Sequence, residues 1–173
     1  VSGNTGLGVS GQNLAGSRID GSTIDGNGGV GLVLGSSSAT VSNTTITGNG
    51  GATAVDITYG AVGLRASTVS GPVTAVTVAA PPFSGSSLVV AATVLDGAPG
   101  STCVGGPFTS GGYNVVSDAS CAGATAVTDQ TSSPVLLGPL ADNGGPTPTR
   151  LPYAAFVGLD AIPTGTVGLC DAS

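Results

Sequence analysis

The chain contains no His, Lys, Glu, Met or Trp, and only 7% of its residues are charged. Each absence excludes a class of function. Without His there is no imidazole to ligate a metal or to move a proton near neutral pH. Without Lys, the basic groups are Arg18, Arg65 and Arg150 alone, too few to neutralise a run of phosphates, so nucleic acid is excluded as a partner. Without Glu, the carboxylates are 9 Asp scattered over 173 residues. Low charge combined with a mean hydropathy of +0.42 is the reverse of a disordered composition. The length suits one domain with a real core. No apolar run reads as a membrane helix or a secretion signal. The uncharged stretch 66–95 is broken by Gly, Ser and Thr and by Pro81 and Pro82.

What the chain does have is Gly, 31 residues of it, and a repeat. The phrase apolar-x-Gly-Asn occurs as Val1-Ser2-Gly3-Asn4, Ile24-Asp25-Gly26-Asn27 and Ile46-Thr47-Gly48-Asn49. It decays to Val69-Ser70-Gly71-Pro72 and then to Val94-Leu95-Asp96-Gly97. The apolar anchors are spaced by 23, 22, 23 and 25 residues, and Thr23, Thr45, Thr68 and Thr93 precede the last four. Five residues before those same anchors stand Ile19, Val41, Leu64 and Val89. A further register holds Leu32 and Leu34, Val55 and Ile57, Val76 and Val78.

Between the columns, apolar and polar residues alternate at period two, with Val, Ile and Thr dominant, which is the pattern of strands. Gly, Asn, Ser and Pro between them mark tight turns. Two or three short strands per repeat predict an all-β, right-handed parallel β-helix of about five coils, stacked at ~4.8 Å. Residues 1–98 form the coils. Residues 99–173 form the terminal coil and an irregular Pro/Gly-rich tail within the same domain. Ile19, Ile24, Val41, Ile46, Leu64, Val69, Val89 and Val94 are expected to face one interior. Asn4, Asn27 and Asn49 then stand one above another as a structural amide ladder along a corner. The chain begins inside a repeat, which predicts a region removed from its N-terminus or a longer parent chain.

Three Cys in a chain without His point to disulfides and an oxidising, extracytoplasmic setting. The lack of Lys and Glu also reads as an exported, protease-exposed surface. The tail runs Cys103-Val104-Gly105-Gly106, then Gly112-Tyr113-Asn114-Val115-Val116-Ser117-Asp118-Ala119-Ser120-Cys121. It continues through Leu137-Gly138-Pro139-Leu140-Ala141-Asp142-Asn143-Gly144-Gly145-Pro146-Thr147. This tail resembles the end of bacterial surface β-helix proteins of the choice-of-anchor Q type, related to pectate-lyase-like and polymorphic outer-membrane repeats. The resemblance covers the tail to Thr149, and the repeats only generically. Residues 151–160 match the family loosely, and its later Asp-Gln-Arg-Gly segment is missing. It implies an exported, surface-associated solenoid and carries over no catalytic residue. Cys103 and Cys121 flank a strand expected over residues 112–116 and match paired positions in that family, which implies a disulfide between them. Cys170 is then unpaired or bonded to another chain.

An enzyme of pectate-lyase shape needs clustered carboxylates for Ca²⁺ with a basic proton acceptor, or two carboxylates flanking one glycosidic bond. The repeats offer Asp20, Asp25 and Asp56 near Arg18 and Arg65. Asp25 shares its column with Thr47 and Ser70, and the two Arg stand six and four residues before their anchors. Solvated surface charge is the expected role for all five. Residues 142–145 read as a Gly-rich turn rather than a Ca²⁺ loop, and Asn43-Thr44-Thr45 as a chance sequon between strands. The Thr column raises ice binding, but no Thr-x-Thr pair recurs on successive coils.

The expected role is therefore structural or adhesive: an extracellular or cell-surface solenoid, not an enzyme, with no metal or other cofactor. Its expected partners are other copies stacked head to tail into a fibre or matrix, or the rest of a longer parent chain. A pectate-lyase-like enzyme and an ice- or carbohydrate-binding β-helix are the alternatives. Stacked Asp on adjacent coils would favour the first, and a flat exposed Thr face would favour ice binding.

Overall fold

The computed structural model describes residues 1–79, 85–123 and 126–169. No helix occurs among them, and the chain winds around three parallel sheets of five strands each. The first sheet stacks β1 (Val9–Gln12), β4 (Leu32–Gly35), β7 (Thr53–Thr58), β10 (Thr74–Val78) and β13 (Cys103–Gly105). The second stacks β2 (Ser17–Asp20), β5 (Ala39–Ser42), β8 (Gly60–Arg65), β11 (Ser86–Ala91) and β14 (Phe108–Ser110). The third stacks β3 (Thr23–Asp25), β6 (Thr45–Thr47), β9 (Thr68–Ser70), β12 (Val94–Asp96) and β15 (Val115–Val116). A short antiparallel pair follows, β16 (Leu137–Ala141) with β17 (Thr149–Pro152).

Each strand turns alternate residues inward, and parallel register repeats the choice on every coil. Leu32, Val55, Val76 and Cys103 align on the first sheet. Val41, Leu64 and Val90 align on the second, and Ile24, Ile46, Val69, Leu95 and Val116 on the third. All these side chains are buried. Between the second and third sheets the chain corners through a left-handed residue on every coil: Gly21, Asn43, Ala66, Ala92 and Tyr113. Between the first and second, Gly60 adopts φ 109°, and a Cβ there would collide with the Ser37 carbonyl.

Two expected core positions lie elsewhere. Val90 rather than Val89 pairs with Leu64, and Leu95 rather than Val94 pairs with Val69. The physical reason is the connection before β11. One residue, Tyr59, joins β7 to β8, whereas residues 79–85 separate β10 from β11, and the inward position falls one residue later. Val89 is 39% exposed on the outer face. Val94 points outward too, into a small second core with Val115, Leu137 and Phe156. The strand expected over residues 112–116 is confined to Val115–Val116.

The tail has two jobs. Residues 135–156 fold back along the outside of the third sheet. They cover Val94 and Val115 near one end and reach Thr23 at the other, where its hydroxyl donates to the Pro148 carbonyl at 2.7 Å. Residues 117–123 and 126–133 cover the C-terminal end of the coils. Val116 N–H donates to Gln130 O at 2.8 Å, Gly123 packs against the Phe108 carbonyl, and Cys103 N–H donates to Ser120 Oγ at 2.9 Å. The opposite end is different. The outer edges of β1 and β2 carry no neighbouring strand among the described residues, and Val9, Leu14 and Ile19 are only partly buried there.

Asp118 anchors the C-terminal cap. Its Oδ2 accepts from the N–H groups of Ser101 and Thr102, and its Oδ1 from the N–H and hydroxyl of Ser120. Burial works against the charge, but these donors outweigh it and hold the carboxyl well below the ordinary aspartate range. Its stabilisation is complete above the unfolded value, about pH 4, and is lost as the pH falls towards the lowered folded value. Asp118→Asn turns an NH₂ group on two of those donors. It should cost about 2 kcal/mol at pH 7 and flatten the acid limb of the stability profile. Urea unfolding at pH 7 and pH 3 measures both, and an unchanged midpoint at pH 7 would free Asp118 of this role.

Candidate functional site

The outer face of the second sheet carries two of the three Arg. Strand alternation turns Arg18, Thr40, Gly63 and Val89 outward in one aligned column, and Asp20, Ser42 and Arg65 in the next. Arg18, Thr40, Ser42 and Arg65 line a groove of about 470 Å³, with Asn43 at its corner and Leu169 on its far wall. A depression of about 260 Å³ continues it over Gly63 and Val89. Gly63 keeps that floor low, since a Cβ there would meet only Thr40 Oγ1, at 3.9 Å.

Asp20, beside the groove, engages three of the residues that line it. Its Oδ1 accepts from Ser42 Oγ at 2.5 Å and Asn43 Nδ2 at 3.1 Å, and pairs with Arg18 Nη2 at 3.1 Å. The Ser42 hydroxyl first, and Arg18 after it, hold the carboxyl below its ordinary range. Arg65 stands exposed two strands along. The face can hold an anionic or hydroxyl-rich group, but it supplies one carboxylate, already engaged.

The other acidic residues are dispersed. Asp25 and Asp96 occupy the same outward column of the third sheet, with Thr47 and Ser70 between them. Three strand spacings put them ~14 Å apart, beyond the ~5–9.5 Å of a glycosidase pair. The column thus holds a second carboxylate, Asp96, that the even period had placed elsewhere. Asp56 lies on the outer face of the first sheet, in register with Val33 and Thr77, and burial pushes its carboxyl up. Arg150 is committed to the tail, donating from Nε to Gly138 O at 2.8 Å and from Nη2 to Leu137 O. Asp142 accepts from Gly144 N–H in the turn between β16 and β17.

The three ladder amides stack. Asn4 Nδ2 donates to Asn27 Oδ1, and Asn27 Nδ2 to Asn49 Oδ1, each at 2.8 Å. Asn27 and Asn49 are buried, and Asn4 is exposed at the open end. Pro72 follows Gly71 in the next coil, where the ladder stops. Cys103 and Cys121 are bonded, with Cα atoms 4.9 Å apart. Cys170 lies outside the described residues.

The Thr column is not a flat exposed array. Thr23 and Thr45 are buried, and Thr23 is bonded to the tail. Thr93 belongs to a different column, an inward one with Thr44 and Ser67. In it each hydroxyl donates to the carbonyl two residues back, and Ser67 Oγ accepts from Thr44 N–H. Asn114 ends the column, its Oδ1 accepting from Thr93 N–H at 3.1 Å. This second ladder was missed. Its signal is the hydroxyl residue after each left-handed corner residue, hidden because Thr44 and Ser67 are each followed by a second Thr.

Neither the curated proteins nor the solved structures give a significant match. A family model does match: "Right handed beta helix region", over residues 1–88. That is half the chain, from the first coil into β11, and it covers the repeats whose columns build the three sheets. The chain belongs to the right-handed β-helix family.

Proposed function

We propose that this chain is a structural or adhesive β-solenoid of an extracellular or cell-surface protein, of the choice-of-anchor Q type that residues 137–147 resemble. The observation that carries the reading is the stapled cap. A disulfide between Cys103 and Cys121 locks the segment around Cys121 over the end of the coils, and such bonds persist in oxidising compartments. Two ladders and three continuous sheets make the body a rod whose polar groups are largely satisfied from within. Head-to-tail growth needs two open ends. The segment over the C-terminal end of the coils stands against strand pairing by a second copy there.

A polysaccharide-active enzyme is the second reading, favoured by the groove over Arg18 and Arg65. One assay separates the two. Purified protein incubated with polygalacturonate and with neutral glucans is expected to release no oligosaccharide, and product from either would overturn the structural reading. Antibody against the chain is expected to label intact cells of the source organism. Label only after permeabilisation would contradict the external location.

A further inference from the structure

We propose that the groove on the outer face of the second sheet binds, without cleaving it, a linear acidic polysaccharide in which uronate and neutral sugars alternate. The proposal rests on the adhesive reading above and gives it a ligand class.

The floor of the groove carries the pattern. Along the solenoid axis, β2 contributes Arg18, β5 Thr40, β8 Arg65 and β11 Val89. Arg65 stands on the middle strand of the sheet, so the groove belongs to its face and not to an edge. The two Arg are two strand spacings apart along the axis, ~9.6 Å, roughly the advance of two sugar residues in an extended glycan. Between them lies a neutral coil bearing Thr40, Ser42 and Asn43. A carboxylate on every second sugar therefore meets a guanidinium, and the sugar between meets hydroxyl and amide groups.

The side chains suit those partners. A guanidinium fork takes a carboxylate bidentately. Arg65 is exposed and makes no side-chain ion pair among the described residues. Arg18 engages Asp20 through Nη2 and keeps Nε and Nη1 for a ligand. Thr40, half-buried, and Asn43, exposed, offer a hydroxyl and an amide oxygen to sugar hydroxyls.

Charge narrows the ligand further. With a net charge of -6, the chain repels a polyanion except where two of its three Arg share one face. Asp20 Oδ1 reaches Ser42 Oγ and Asn43 Nδ2, which puts a negative charge beside the middle of the groove. A uronate at that position would be repelled, so an alternating chain is preferred to a polyuronate. No aromatic side chain lines either part of the groove, leaving a neutral glycan no ring face to stack on. Cleavage would need a second carboxylate, which this face lacks.

Fluorescence anisotropy of a labelled hyaluronan octasaccharide, titrated with the full chain at low salt, tests this. Labelled polygalacturonate and dextran of matched length serve as comparisons. Hyaluronan should bind saturably and more weakly as salt rises. Polygalacturonate should bind several-fold more weakly, and dextran should not bind. Arg65→Gln should raise the dissociation constant for hyaluronan about tenfold. Gly63→Phe should raise it as much with no change of charge, because it fills a floor where a Cβ meets only Thr40 Oγ1. Circular dichroism on each variant confirms that the solenoid is retained, since both positions face outward. Absence of saturable hyaluronan binding would overturn the proposal, as would polygalacturonate binding as tightly. So would either folded variant binding like the wild type. Those results would leave the surface labelling and cleavage assays untouched, so the ligand assignment and the structural reading fall separately.

Discussion

Ile46→Asp should leave no folded protein at 25 °C. Ile46 is completely buried as the second residue of the third sheet's column, between Ile24 and Val69. Removing its side chain from a packed interior alone costs about 2–5 kcal/mol. The carboxylate that replaces it has only hydrocarbon on the inward side, and burying an unpartnered charge adds several kcal/mol more. Against a net stability of roughly 5–15 kcal/mol for a domain, the sum removes most or all of it. The check is circular dichroism and a urea titration beside Val89→Asp. That position was expected to be equally buried, but the structure exposes it by 39%, and the substitution there should cost under about 1 kcal/mol. Equal damage from both would contradict the assignment of inward and outward residues.

That contrast also marks how far the fold was legible. Ile24, Ile46 and Val69, like Val41 and Leu64, could be placed because coils of nearly equal length return the same residue type to the same face. Val89 and Val94 could not, since residues 79–85 lengthen one connection and nothing local in the period reports it. The tail was hidden for a related reason. Thr23 meets Pro148 across 125 positions, a contact no repeat encodes, and so the covering of Thr23 and Thr45 was not foreseen. The Asn ladder was legible because Gly-Asn recurs at one spacing. The C-terminal cap was not, because it depends on Asp118, a single unrepeated carboxylate gathering four donors from three residues.

The second large effect concerns the staple. Replacing both Cys103 and Cys121 by Ser should lower stability by about 3 kcal/mol, the loop-closure value for a bridge over 18 residues. The loss should concentrate in the cap. Cys103 is on β13, the last strand of the first sheet, and Cys121 lies in the segment folded over it. In the double variant, residues 117–123 and 126–133 should be cut by a nonspecific protease well before the coils. Simultaneous loss of cap and coils, or a stability unchanged within about 0.5 kcal/mol, would show that the bridge is incidental to the cap.

The central claim is that one interior column runs Ile24, Ile46, Val69, Leu95, Val116, each side chain stacked in that order on its neighbours in the adjacent coils. Methyl-to-methyl NOEs in protein labelled at Ile, Leu and Val read that order directly. The account requires cross-peaks between successive members of the series, and places Val94 with Val115 and Leu137 instead. Cross-peaks that put Val94 in the column, or that link Ile24 to Val116 as neighbours, would contradict it.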